Sequence, residues 1–390
     1  MKKAIMSITE DDRCCGCAVC ESVCTHGAIK IKNDEGFYRP YVDAGKCVGC
    51  GLCKSICPVN NCDEIKNFCY ETPEFAYAAW NNNDELHYHS ASGGIVSSIA
   101  IEFIYQKAFV CCAYFNPETQ IVEHTIFRDL NELKLARGSK YVNSNKSLIY
   151  EKVLEELKYS NGLFIGVPCE VYAMRKYLQK KDHLNKLYFI DLLCHGGASP
   201  LCFDEHIKYL AKRSLLSNVT FRGGDYDCRI SLFNGNKLIY QDGQFDDVYF
   251  KLFMRHTLYQ PACFACNFAG SNRVGDITAG DFWGLADEIE AKNHLQGCNM
   301  ILINNADGNV LFDLIKDRIT YYKRNVSEAI NGNSTLYEST KKEAEYDEFW
   351  KAIREVGFHK AVKKIYGINV KKRYIYAKLK LEVKRIIGHL

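Results

Sequence analysis

The sequence predicts an α+β chain in three unequal parts: a small cysteine-rich head, an α/β body with a mixed, partly parallel sheet, and a helical C-terminal tail. Three observations predict it. Two runs of close-set cysteines, Cys14–Cys24 and Cys47–Cys57, stand 33 residues apart and are joined by an alternating apolar–polar segment. From Ser92 onward, short apolar runs alternate with longer helix-like stretches. Beyond about residue 335 the chain turns helical and rich in lysine.

The head comes first. Cys14, Cys17, Cys20 and Cys24 read C-x2-C-x2-C-x3-C, and Cys47, Cys50, Cys53 and Cys57 repeat the pattern. Disulfides are a poor use for thiols crowded into one loop, because a bond needs its Cα atoms at a defined separation. The run is that of a bacterial-type ferredoxin, in which the fourth cysteine of each run serves the other [4Fe–4S] cluster. Cys14, Cys17, Cys20 and Cys57 are therefore expected around one cluster, and Cys47, Cys50, Cys53 and Cys24 around the second. Gly16, Gly49 and Gly51 suit backbone curled around sulfur. Pro58 follows the last cysteine as usual, whereas Thr25 stands at the matching place in the first run. Cys15 falls out of register and reads as a bystander. The alternative is a zinc site or reduced structural thiols, which two complete copies of an eight-ligand pattern make a weak competitor. GAIKIKNDEGFYRPYVD between the runs predicts a hairpin, and residues 1–62 form one small domain held by its clusters.

Residues 63–88 read as a linker with a strand leading into the body. AFVCCAYF (108–115), GLFIGVP (162–168) and LYFIDLLCH (187–195) are expected strands, and 93–106, 146–159, 170–180 and 202–213 expected helices. ISLFNGNKLIYQD (230–242) predicts a hairpin turning at Asn-Gly. Within this body Ser92-Gly93-Gly94 opens a helix, with Ser92 as N-cap and backbone amides free for a phosphate; a bare cap looks the same. No GxGxxG fingerprint and no P-loop occurs. Cys169 follows one expected strand and Cys194 closes the next, so parallel neighbours would bring both thiols to the crevice at the strands' carboxyl ends. Cys263-Phe-Ala-Cys266 has metal-ligand spacing, and the four would make a third Cys₄ site; buried core cysteines are the alternative. Cys62, Cys69, Cys111, Cys112, Cys202, Cys228 and Cys298 lack ligand spacing and read as structural.

ARGSKYV (136–142), GVPCE (166–170), LLCHGGAS (192–199) and RVGDITAGDFWG (273–284) resemble the family of the coenzyme F420 hydrogenase and dehydrogenase beta subunit. That family also includes chlorophyll-related reductases and bacterial relatives linked to surface polysaccharide pathways. The resemblance runs from about residue 10 to 330, with the ferredoxin-like head fused in front of a flavin-binding region (89–165) and a C-terminal region (166–334). It implies FAD and one [4Fe–4S] cluster in the body, with the cluster cysteines falling on Cys169, Cys194, Cys263 and Cys266. The flavin-contacting segments fall on Ser92, Gly93 and Gly94 and on Gly138, Ser139, Lys140 and Tyr141. Ala91 replaces a serine common in the first of these. Lys140 and Ser139 suit a flavin phosphate or an anionic ring edge. Asp281-Phe-Trp-Gly284 would shape a pocket wall, and His195 is the candidate proton donor near the flavin, with a plain hydrogen-bonding role as its alternative.

The net charge of +3 and the absence of aromatic-interleaved basic strands argue against nucleic acid as a partner. Twenty cysteines and no apolar leader segment predict a reducing, cytoplasmic setting. The tail (335–390) could lie on an anionic membrane surface or dock a partner, or simply pack on the body as a solvated helix. Together these features predict an oxidoreductase passing electrons between FAD and three [4Fe–4S] clusters, with F420, ferredoxin or a similar carrier as redox partner. The alternatives are an electron-transfer adaptor serving a partner enzyme and a cluster-stabilised scaffold.

Overall fold

A computed structural model describes residues 4–5, 7–179, 181–212, 214–222, 228–285 and 297–386. Lys180 and Arg213, where two expected helices end, and tail residues 387–390 lie outside the described residues. In the head, β1 (Ile29–Asp34) and β2 (Phe37–Val42) form the expected antiparallel hairpin. The body contributes β3 (Phe75–Asn81), β4 (Phe109–Asn116), β5 (Ile121–Phe127), β6 (Gly162–Gly166) and β7 (Leu187–Leu192). It continues with β8 (Asn218–Arg222), β9 (Cys228–Asn234), β10 (Lys237–Gly243), β11 (Ile277–Asp281), β12 (Asn299–Ile303) and β13 (Ile319–Asn325).

The central sheet has eight strands in the order β13-β3-β12-β11-β7-β6-β4-β5. Its middle is parallel, through the pairs β4–β6, β6–β7 and β7–β11, and its flanks are antiparallel. A strand covered on both faces must be apolar throughout, and every residue of β6 is buried. The edge strand β13 instead alternates between buried or half-buried and exposed residues. The helix Pro168–Leu178 is the crossover between β6 and β7, started by Pro168 at its first position. β8, β9 and β10 make a separate three-stranded sheet, with the expected hairpin turning at Gly235.

Two local expectations need comment. The strand expected within residues 63–88 is β3, and it lies inside the sheet between β13 and β12 with Ala76, Ala78 and Ala79 fully buried. Ser92 is not the N-cap of the following helix. That helix runs Ile95–Tyr105 and Gly94 caps it at φ 76, because the turn needs a left-handed residue there and Asn299 Oδ1 accepts the Ile95 N–H at 3.1 Å. Gly93 passes so close to β3 that a Cβ would stand 2.2 Å from the Ala79 carbonyl oxygen.

The head is built into the body. Cys17, Val19, Ile56 and Ile65 share one apolar core with Tyr150, Tyr172 and Phe189, and Phe37 packs on Trp350. Hydrogen bonds fix the same boundary: Tyr150 Oη donates to the Cys17 carbonyl at 2.6 Å, and Ser199 Oγ to the Gly36 carbonyl at 2.7 Å. The tail consists of the helices Tyr346–Val356, Phe358–Tyr366 and Val370–Ile386. Its last helix buries Val370, Tyr374, Ala377 and Leu381, while Arg373 and Lys380 pair with Asp246 at 3.0 and 2.9 Å. The packed-helix alternative therefore describes this tail. No described helix is long and apolar enough to cross a membrane.

Candidate functional site

One large cleft, about 1440 Å³, opens at the carboxyl ends of β6, β7 and β11. This is where open α/β sheets bind ligands, because successive loops diverge there. Its volume exceeds the roughly 300–1,000 Å³ of an ordinary small-molecule pocket.

Cys169, Cys194, Cys263 and Cys266 all line this cleft. The parallel pairing of β6 and β7 places the first two side by side, as the sequence argument required. The helical turn Pro261–Ala265 carries Cys263, whose sulfur accepts the Gly197 N–H at 3.3 Å. Burial raises the Cys194 thiol well above its ordinary value and the Cys263 thiol to about 12, so neither becomes a thiolate without a nearby positive charge. A multi-iron cluster would supply that charge. Zinc needs four sulfurs about 2.3 Å from one point. The donor set fits a cluster.

Cys15 is no bystander. It lines the same cleft, its side chain hydrogen-bonds those of Cys169 and Cys17, and its carbonyl accepts from Gln260 Nε2 at 2.9 Å. A fifth thiol thus sits between the head and body cysteine sets. Its irregular place in the run was the only hint.

The segments expected to meet a flavin also reach the cleft: Ser92, Gly94, Gly138, Ser139, Lys140 and Tyr141 line it, while Gly93 is packed against β3 behind the turn. Ser92 Oγ is buried without a hydrogen-bond partner, the kind of orphaned group that a bound phosphate or hydroxyl satisfies. Lys140 does something other than anticipated. Its ammonium donates to the carbonyls of Ala136, Arg137 and Gly138 at 3.2, 2.9 and 3.1 Å, bracing its own loop, and burial pulls it down to about 8. Tyr141 Oη accepts from Arg222 Nε at 2.8 Å, and Arg222 Nη2 donates to Asp281 at 2.5 Å. Asp281 and Trp283 line the cleft, but Phe282 is core. His195 faces the cleft too. Burial lowers its imidazole, His256 adds to the effect, and Asp281 opposes it.

A buried polar network beside Cys169 escaped the sequence reading. Lys146 Nζ lies 2.9 Å from Glu170 Oε1, Glu170 Oε2 accepts the Val167 N–H at 2.9 Å, and His124 Nδ1 meets Ser144 Oγ at 2.8 Å. Burial works to raise the Glu170 carboxyl, yet Lys146 and His124 outweigh it and hold it below the usual carboxylate range. Burial also drops the His124 imidazole to about 4. The adjacent Cys169-Glu170 pair was the available signal. A fully buried lysine was not legible. The RVGD stretch proves to be scaffold: Asp191 accepts from Arg273 at 3.2 Å and from the Val274 and Gly275 amides at 3.0 Å, tying β7 to the start of β11.

In the head, Cys14, Cys17, Cys20 and Cys57 line one small cavity. Cys20, Cys53 and Cys57 share a core against which Cys24 and Cys47 pack, and the Ile5 N–H donates to Cys47 Sγ at 3.3 Å. Gly16, Gly49 and Gly51 take φ of 66, 68 and 86, and Ala18 takes 68 at the place matching Gly51.

Comparison with known proteins follows the same division. The 4Fe-4S dicluster domain matches residues 13–61. The N-terminal and C-terminal domains of coenzyme F420 hydrogenase/dehydrogenase, beta subunit, match residues 76–149 and 159–329. One of the subunits of the F(420)H(2) dehydrogenase of Methanosarcina mazei is 22% identical over 336 residues, which cover 82% of this chain and 87% of that protein. A chain of the F420-reducing [NiFe] hydrogenase complex from Methanosarcina barkeri aligns at TM-score 0.46 and 17% identity, covering 76% of this chain and 91% of that one. With both beta-subunit domains present in order behind a 4Fe-4S dicluster domain, the chain belongs to the family of the coenzyme F420 hydrogenase/dehydrogenase beta subunit.

Proposed function

We propose that the chain is an iron–sulfur flavoprotein oxidoreductase passing electrons between FAD and three [4Fe–4S] clusters, with F420, ferredoxin or a similar carrier as redox partner. The observation that carries this reading is the convergence of Cys169, Cys194, Cys263 and Cys266 with the Ser92–Gly94 and Gly138–Tyr141 segments on one cleft. A flavin bound there would supply the conversion between a hydride, taken as a pair, and single electrons.

The chain's own residues then have distinct tasks. The Ser92 hydroxyl and the turn leading into the helix Ile95–Tyr105 would hold a phosphate or ribose group, with the helix's positive end adding to the attraction. Lys140 keeps the 136–140 loop shut upon itself. Arg222, anchored by Asp281 and Tyr141, puts a fixed cation in the wall. His195, exposed to the cleft and held toward its neutral form by burial and by His256, would exchange a proton with a bound group at its imidazole. In the head, Cys14, Cys17, Cys20 and Cys57 would hold the cluster nearer the body, and Cys47, Cys50, Cys53 and Cys24 the outer one.

F420 as donor draws support from the likeness to the F(420)H(2) dehydrogenase protein. The second reading, an adaptor serving a partner enzyme, draws on the same likeness, since that protein is itself one part of a larger enzyme. Anaerobic mixing of the purified chain with reduced F420, no other protein present, separates them. An enzyme bleaches its flavin absorbance at once; an adaptor without its own donor site leaves it unchanged.

A further inference from the structure

The head is a sequence repeat, yet the body covers its two copies unequally: Ile56 of the second copy joins the shared core, but other positions of that copy do not. Aligning the two cysteine runs pairs Cys15 with Val48, Val19 with Leu52 and Glu21 with Lys54. In the first copy these three positions hold the body. Cys15 lies beside Cys169 in the wall of the cleft, Val19 is 1% exposed in the core shared with Tyr150, and Glu21, 3% exposed, accepts from Ser147 Oγ at 2.6 Å. In the second copy the same positions face solvent, with Val48 49% and Leu52 45% exposed, Lys54 exposed, and Cys50 exposed between them.

The backbone has the same form in both, with left-handed glycines at Gly16 and Gly49 and short helices Val19–Ser22 and Leu52–Ile56. The outer copy therefore presents the shape that the body already recognises in the inner one. Its charge is reversed. Lys54 replaces Glu21, and Lys46 stands beside Cys47; Asp43, the carboxylate of this loop, is taken up by the Gly45 amide at 2.9 Å and by Lys46 at 4.0 Å.

We propose that the outer cysteine run is the docking face for a small acidic electron-carrier protein of the ferredoxin kind. Val48 and Leu52 form the apolar contact around Cys50, and Lys46 and Lys54 pair with carboxylates at its rim. Exposed apolar residues beside a redox centre bring the two centres close, while the lysines steer the encounter and set its salt dependence. One electron crosses, the carrier losing it as the outer cluster gains it or the reverse, with no bond made and no proton moved. The proposal rests on the head being the electron conduit.

The test uses the full chain, purified anaerobically, and a plant-type [2Fe–2S] ferredoxin as probe. Binding is expected at low ionic strength and should weaken as salt rises. Leu52→Glu, and Lys46→Glu with Lys54→Glu, should each reduce affinity at least about tenfold with iron content unchanged, while Lys316→Glu, in the body just before β13, has no effect. Absence of ferredoxin binding at low salt, or equal binding by the variants, overturns the docking face. A self-dimer that Leu52→Glu dissolves overturns it as well, by assigning the face to a second copy. Iron content keeps the two readings apart: a chain with its iron in place that ignores ferredoxin fails only here, and a chain that takes up no iron fails both.

Discussion

Cys15 and Cys169 come from opposite ends of the site's logic. Cys169 was legible because it follows an apolar run that had to be a strand, and strand ends carry sites. Cys15 was not, because its meaning depends on the head being pressed against the body. Lys146 and Glu170 were hidden for the same reason: a lysine becomes a buried partner only through contacts far apart in sequence. His124 gives this network a measurable consequence. Burial lowers its folded-state pKa to about 4, against about 6.5 unfolded, so between those values the unfolded chain binds more protons. Stability is therefore fully present above about pH 6.5 and falls as pH drops toward 4, by on the order of 2–3 kcal/mol. Replacing His124→Gln should flatten that part of the stability–pH curve, read from urea unfolding at several pH values. Parallel curves for the two proteins would show that His124 titrates alike folded and unfolded.

At the level of elements, the parallel centre of the sheet was readable and its borders were less so. β6 announced itself as an unbroken apolar run. For β3 a strand leading into the body was legible but its central place was not, because its buried positions are alanines, which carry little strand signal although Ala76, Ala78 and Ala79 are fully covered. The start of the helix Ile95–Tyr105 was displaced from Ser92 because the capping atom comes from Asn299, on a strand some 200 residues later, as the Ile95–Asn299 bond shows. That shift leaves the Ser92 hydroxyl available to a ligand. Asp191 on β7 has the opposite fate, with both carboxylate oxygens committed to Arg273 and two backbone amides. Asp191→Ala strands a buried arginine and two amides, and should destabilise the chain by roughly 3–5 kcal/mol. Thermal unfolding would register this; a variant that melts with the wild type would mean Arg273 finds another carboxylate.

For the whole molecule, the order of parts was legible from spacing alone, but their assembly was not. The head shares its core with the body, so the cleft cysteines, Cys15 and the inner head cysteines form one continuous series. The outer run, with Cys50 exposed, ends that series at solvent. Such an arrangement makes sense for electrons entering or leaving at the two ends, the cleft and the outer face. The tail contributes packing, its basic residues engaged with Asp246 and with β10 carbonyls. All of this depends on the body carrying its own cluster and flavin. The most direct test is the iron, acid-labile sulfide and flavin content of the chain purified without oxygen. Three cubanes and one flavin predict about 12 iron, about 12 sulfide and about one FAD per chain. About 8 iron with no flavin would leave the dicluster head intact and contradict the account of the body.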